Sequence, residues 1–292
     1  MNQIIDPHLH FFALSQGHYQ WLKAESAPLW PDKFKLRQSF HEDALILNQG
    51  VEITGFVHIE AGYDNEQPWR EIVWLESSCM LPFKAVAAID LTLGQGAFIE
   101  HIKQLQQYQS VVGCRHILDD QAGELLSQEC VQSNLAYLAE KQLSFELQMP
   151  LSHKPVLDQL INILNDLPTL RLIINHAGWP PLETTTSDWQ QWQASLTALS
   201  QFEQCAIKCS GWEMAERNYQ EHWQQAVIKQ CLDTFGNKRV MLASNFPLVL
   251  LTQDYAELWD QYFKLDSNLN LTSKQLTALT RTNAAYWYKF DG

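Results

Sequence analysis

The sequence is short of positive charge. Its 20 lysines and arginines stand against 33 aspartates and glutamates, a formal net charge of −13 at pH 7 over 292 residues. Such an acidic surface repels nucleic acid and anionic lipid at long range, so neither is expected as a partner. A few arginines in a cleft can still reverse the field for a small anion. Apolar runs of membrane-spanning length are missing, and no basic stretch followed by an apolar one opens the sequence. The six cysteines form no C-x-x-C pair. Cys205 and Cys209 lie four apart in a strand-like run, a spacing that does not suit a zinc cage. A reduced, cytoplasmic protein is the expectation. No G-x-G-x-x-G follows any apolar run, which removes the usual dinucleotide fingerprint.

What is present is a folded-protein composition, 46% hydrophobic and 18% charged, with no linker or composition break. Strand-like runs open at Ile4-Ile5 and recur at 52–61 (EITGFVHIEA), 83–91, 110–118, 143–149, 170–176, 205–211 and 239–245. Helical patterns separate them at 42–49, 68–80, 97–108, 128–142, 155–167, 189–202 and 222–235, and follow the last at 255–263 and 274–290. Strands alternating with helices mean βαβ units and a parallel sheet covered on both faces. With about eight such units, closure removes both sheet edges, so one (β/α)8 barrel (TIM barrel) spanning 1–292 is expected. The segment 11–40, rich in aromatic residues, is the exception: a connection this long is a lid or binding loop. Tyr19 and Trp21 are its candidates for pocket walls, or else for packing anchors.

Barrel enzymes carry their sites at the C-terminal ends of the strands, where a buried parallel strand is otherwise apolar. Here nearly every strand ends in groups that ionise or hydrogen-bond. They are Asp6, His8 and His10; His58 and Glu60; Asp90; Arg115 and His116; Glu146 and Gln148; Asn175 and His176; Lys208 and Ser210; and Ser244 and Asn245. Strand alternation puts Asp6, His8 and His10 on one side, and likewise His58 and Glu60. Glu146 and Lys208 also read as a structural pair inside the barrel, and Asp90 and His116 as caps.

In order along the chain, DPHLH (6–10), VGCRH (112–116), IINHAGWP (173–180), KCSG (208–211), RVMLASNFP (239–247) and TNAAYWY (282–288) resemble one family. It is the amidohydrolase 2 branch of the amidohydrolase superfamily, which includes fuconolactonase-like sugar lactonases and pyrone dicarboxylate lactonase. The resemblance covers essentially the whole chain. It implies water attack on the carbonyl of a small lactone, sugar-derived or carboxylated, and so a place in carbohydrate metabolism. His8, His10 and His176 would surround the carbonyl, and Arg115 would hold a substrate carboxylate or hydroxyl. Glu60, Gln148, Tyr19 and Trp21 complete the expected binding set. An aspartate ending the eighth strand normally serves as general base in this family, and here Asn245 stands in its place. An amide is no useful base near neutral pH, and a positioned base contributes about 10²–10⁴-fold.

Three outcomes follow from that departure. The base has moved to Glu60, His176 or a first-strand histidine; the substrate is activated enough that orientation suffices; or the chain is a non-catalytic, small-molecule-binding relative. A non-oxidative decarboxylase, which the wider superfamily also contains, is a further alternative. A binuclear metal centre is not expected, because the fourth and fifth strands offer Arg115, His116 and Gln148. His8, His10 and His176 suffice for a mononuclear zinc site, which a neutral Asn245 would weaken. The expectation is no metal, or one weakly bound divalent ion with zinc first. Self-association into a homo-oligomer stays open.

Overall fold

A computed structural model describes residues 2–290. Eight parallel strands follow one another around the sheet in chain order: β1 Asn2–Leu9, β2 Val51–Ile59, β3 Phe83–Ala88, β4 Val111–Arg115, β5 Ser144–Leu147, β6 Leu172–Ile174, β7 Cys205–Cys209 and β8 Val240–Leu242. The helices are α1 Trp69–Ser78, α2 Gln95–Leu105, α3 Ala122–Leu126, α4 Glu129–Glu140, α5 Lys154–Asp166, α6 Ser187–Ser200, α7 Trp212–Ala215, α8 Glu221–Phe235, α9 Tyr255–Phe263, α10 Leu265–Asn268, α11 Ser273–Thr277 and α12 Asn283–Trp287. This is the (β/α)8 barrel that the alternating pattern predicts.

The barrel closes through residues expected at the site. Asn245 N–H donates to the His8 carbonyl at 2.8 Å, and His10 N–H donates to the Phe246 carbonyl at 2.6 Å. Beside them the Asp6 carboxylate accepts from Ser244 N at 3.1 Å, Ser244 Oγ at 2.5 Å and Tyr255 Oη at 3.1 Å. Burial nonetheless pushes the Asp6 carboxyl up to about 6. The seam between the first and last strands is therefore built from the histidine motif and the end of β8.

Alternation along the strands divides their side chains between the helices and the barrel axis. On β7, Cys205, Ile207 and Cys209 join the large core. Ala206 belongs instead to a smaller cluster with Ile5, Val57, Ile173 and Met241, which packs on Trp287 and Tyr288. Lys208 shares the Ala206 face and meets Glu146 of β5 at 2.5 Å, both fully buried, while Tyr288 donates to the same carboxylate at 2.5 Å. The pair expected inside the barrel is there, closed off by the C-terminal segment.

One element differs from the sequence pattern. The run 42–49 makes only a 3-10 turn at Glu42–Ala44, because a helix so short is not worth its nucleation cost before Asn48 and Gly50 interrupt it. The run 274–290 is helical from Ser273 to Trp287, and a π-helical turn at Ala278–Thr282 joins α11 to α12. Just beyond that turn, Asn283 Nδ2 donates to the Asn237 and Val240 carbonyls, tying the C-terminal segment to β8.

Candidate active site

At the C-terminal end of the barrel lies a cavity of about 690 Å³. His10, Glu60, Arg115, Gln148, His176 and Asn245 line it from the strand ends, and Trp21, Trp30 and Trp179 wall it with Pro28, Met214 and Leu248. Six of the expected site residues thus converge from β1, β2, β4, β5, β6 and β8, and Trp21 joins them from the long loop.

Three imidazoles cluster here; His10 and His176 line the cavity, and His8 does not. His8 is fully buried with its ring 5.0 Å from His10 and 4.7 Å from His176, centroid to centroid. His10 Nδ1 faces the Ile59 carbonyl at 2.8 Å. A carbonyl only accepts, so Nδ1 carries the proton and Nε2 is bare. His176 Nδ1 lies 3.0 Å from Ser210 Oγ. Both nitrogens of His8 lack any hydrogen-bond partner. Burial holds all three well below the usual histidine range, helped by Lys208 beside His8 and by Arg115 beside His10 and His176. All three are therefore neutral at ordinary pH.

The backbone carrying these groups is strained. His176, Ala177 and Trp179 after β6, and Asn245 after β8, all have positive φ between 51° and 58°. Such conformations cost free energy in non-glycine residues and gather at sites that use them. Gly211 (φ +69°) cannot be replaced here: a Cβ on it would lie 2.3 Å from His176 Nδ1.

Arg115 is already occupied. Its Nε and Nη2 donate to Glu60 Oε1 at 2.8 and 2.7 Å, Nη2 also donates to the Glu60 carbonyl at 2.9 Å, and Nη1 donates to Gln148 Oε1 at 3.0 Å. Gln148 Nε2 in turn approaches Asp119 Oδ1 at 3.4 Å. Burial pushes the Glu60 and Asp119 carboxyls up, and Arg115 pulls both back. Ionisable lining residues besides the histidines are Glu60, Asp119 and Asp120 against Arg115 alone. The guanidinium fork that the sequence offers to a substrate carboxylate is matched by a carboxylate of the protein.

Several other expectations need correcting. His58 does not share a side with Glu60. Its Nδ1 accepts from Phe11 N–H, so Nε2 carries the proton and donates at 3.1 Å to Glu71 on α1, outside the barrel. Chain geometry changes where β2 ends at Ile59, so Glu60 turns over the barrel mouth instead. Asp6 is absent from the cavity wall because its carboxylate is spent on β8 and Tyr255. Pairing of β1 with β2 slips between Asp6 and Leu9, which breaks the alternation. Tyr19 packs the loop: its ring lies 5.4 Å from Phe12 and 5.7 Å from Tyr63, and its hydroxyl accepts from Ala13 N–H at 2.8 Å. Of the two expected loop residues it is Trp21 that reaches the cavity, anchored by Nε1 donating to the Ala61 carbonyl at 2.8 Å. His116 accepts from Leu91 N–H and Asp90 from Thr92, so both are caps.

The loop itself is stapled. Lys33 Nζ is buried and donates to the carbonyls of Trp21, Lys23 and Ser26 at 2.9, 3.1 and 2.6 Å. Arg217 pairs with Asp32 at 2.8 Å and lies 5.0 Å from the Trp30 ring.

Sequence reasoning missed Glu213, on the short helix after β7. It is 1% exposed, and its Oε1 accepts from Asn245 Nδ2 at 2.5 Å. Burial pushes its carboxyl up to about 7. The available signal was an acid two residues past the glycine that ends a barrel strand.

These features define a (β/α)8 barrel whose polar and ionisable side chains gather in a cavity at the C-terminal ends of its strands. Residues 5–290 match the family model described as amidohydrolase, and the chain belongs to that family. The uncharacterized protein y4mH of Sinorhizobium fredii is 24% identical over 298 residues, covering 98% of each chain. An amidohydrolase of Burkholderia multivorans shares the fold at a TM-score of 0.80 and 20% identity, covering 99% of this chain and 100% of its own; that protein has been solved with HEPES and with zinc bound. A 2-pyrone-4,6-dicarboxylic acid hydrolase-like protein of Pseudomonas putida follows at a TM-score of 0.72 and 18% identity, covering 100% and 99%.

The zinc in that relative raises the question of a metal here. Three neutral imidazoles, two of them steered by a second hydrogen bond, are the right donor chemistry. Among the described residues, however, no group of three or more His, Cys, Asp or Glu side chains is arranged to hold a metal ion. The end of β8 adds an amide where a carboxylate would add charge.

Proposed function

We propose that the protein hydrolyses a neutral, hydroxyl-bearing lactone, with a sugar lactone as the first substrate to try. The observation that carries this reading is the cavity's charge. Its one guanidinium is already paired with Glu60, and Asp119 and Asp120 remain on the wall. A dicarboxylate would meet uncompensated negative charge, whereas hydroxyl groups would find acceptors in Gln148, Asp119 and Asp120. The faces of Trp21, Trp30 and Trp179 suit the C–H edges of a sugar ring.

The neutral imidazoles suit the carbonyl. In the tautomer in which Ser210 Oγ donates to His176 Nδ1, the proton of His176 sits on Nε2 and is available to a carbonyl oxygen as charge develops there. His8 lies against both neighbouring rings. Leaving a buried polar group bare costs about 1–3 kcal/mol, which a purely structural residue would not carry. Asn245, with Oδ1 unpartnered, is placed to orient the attacking water.

The test is a panel of aldonolactones alongside 2-pyrone-4,6-dicarboxylate, assayed with and without added zinc or manganese. Turnover of aldonolactones and rejection of the dicarboxylate is the expected result. His176→Ala should lower kcat/KM by about 10²-fold or more. Absence of lactone hydrolysis above background under every condition would refute the reading.

A further inference from the structure

The hydrolysis read above needs a proton acceptor for the attacking water, and the amide at the end of β8 is not one. We propose that Glu213 is that acceptor and works through Asn245: the water gives its proton to Asn245 Oδ1 while Asn245 Nδ2 passes a proton to Glu213 Oε1. This deepens the lactonase reading and rests on it.

While Glu213 is ionised, Asn245 has one orientation. An ionised carboxylate accepts hydrogen bonds and donates none, so the amide must turn its NH2 to Glu213, at 2.5 Å. Its Oδ1 then points the other way. That oxygen is buried, has no partner in the protein, and belongs to a residue lining the cavity. Backbone ties hold the amide in place, through Asn245 N–H to the His8 carbonyl and the left-handed φ of +58° that asparagine tolerates. Glu213 is held by Gly211 before it and by Arg217 after it, whose Nη1 donates to the Glu213 carbonyl. Other titratable groups nearest the carboxylate are the hydroxyls of Tyr219 and of Tyr262 on α9, both pushed well above their usual range. A carboxyl raised to about 7 is a stronger proton acceptor than an ordinary glutamate and is still ionised to a useful degree at neutral pH.

The step balances. As the water oxygen bonds to the lactone carbonyl carbon, one O–H bond breaks and its proton goes to Oδ1. One Nδ2–H proton moves to Glu213, leaving the side chain of Asn245 as the imidic acid and Glu213 neutral. When the ring C–O bond breaks, the leaving alkoxide takes the proton on Oδ1, and Glu213 returns its proton to Nδ2. The product is the hydroxy acid, and both residues are restored.

Glu213 acts through another residue, so the decisive variants separate charge from shape. Glu213→Gln keeps an acceptor for Asn245 Nδ2 and removes the base. On a lactone that the wild type hydrolyses, kcat should fall about 100-fold or more with KM changed by no more than about twofold. The double exchange Glu213→Gln with Asn245→Asp moves the carboxylate one link forward and should recover about tenfold or more of that loss. A folded Glu213→Gln protein retaining kcat to within about threefold overturns the relay.

A second readout needs no turnover and no folded Glu213 variant. The Asn245 side-chain amide resonance of the 15N-labelled wild type, assigned by its loss in Asn245→Asp, should shift with pH around a midpoint near 7. An amide that does not titrate between pH 5 and 9 overturns the Glu213–Asn245 link. A titrating amide in a protein that hydrolyses no lactone sinks the lactonase reading and leaves the link standing.

Discussion

Two buried acid–cation pairs sit in this barrel, and they do different work because of where along the strands they lie. Glu146 and Lys208 come from mid-strand positions of β5 and β7, are 0% exposed, and are covered by Tyr288. Glu60 and Arg115 come from the ends of β2 and β4 and form part of the cavity wall, with side chains 10% and 6% exposed. Both pairs carry a desolvation cost, and neither is evidence of net stabilisation by itself. The lower pair has no contact with the cavity and fills the barrel axis. In the proposed reading the upper one decides which charges the cavity tolerates. Glu213 is another buried acid, and its partner is an amide rather than a cation.

Breaking the lower pair should have the largest effect on stability. Lys208→Met leaves Glu146 charged, buried and held only by Tyr288, and should cost about 3–5 kcal/mol in urea unfolding. A loss below about 1 kcal/mol would mean that Glu146 simply takes up a proton and that the pair is dispensable.

Glu213 sharpens the comparison through pH. Its folded-state carboxyl is raised from 4.5 to about 7, so the folded protein binds this proton more tightly than the unfolded chain. That contribution to stability is fully present below about 4.5 and is lost as pH rises through about 7. Glu213→Gln removes it, so between pH 4.5 and pH 8 the wild type should lose about 3 kcal/mol relative to the variant. Parallel pH profiles for the two proteins would contradict the raised carboxyl.

The upper pair is tested by selectivity. Glu60→Gln releases Arg115 from its carboxylate, so kcat/KM for a carboxylated lactone should rise relative to a neutral one by about tenfold, or roughly 1.4 kcal/mol. An unchanged ratio would show that Glu60 does not set the charge preference. The smallest effect is expected in the loop. Tyr19→Phe strands the buried Ala13 N–H and should cost about 1–2 kcal/mol of stability while leaving KM unchanged. A rise in KM would put Tyr19 back on the cavity wall.

Much of this architecture was legible in the chain because its signals are local. Alternating strand and helix patterns announce a barrel, and polar groups at the ends of buried strands announce a site, with no knowledge of what each side chain meets. His10, His176, Arg115, Gln148 and Asn245, expected at the strand ends, line the cavity there, and the Glu146–Lys208 pair is in the barrel as expected. The failures came where period-2 reasoning was carried past the end of a regular strand. A slipped register separates Asp6 from His10 in role, and the end of β2 at Ile59 separates His58 from Glu60.

What the sequence by itself determined, then, is the barrel, the end of it where polar residues gather, and the absence of a carboxylate where β8 stops. What only the tertiary structure decided is partnership. Arg115 is answered by Glu60, 55 residues away; Asp6 by Ser244, 238 away; and Asn245 by Glu213, 32 away. A hydrogen bond depends on positions within a few tenths of an ångström and on which atoms have been cleared of water. Those are properties of the closed barrel, not of any stretch of its chain.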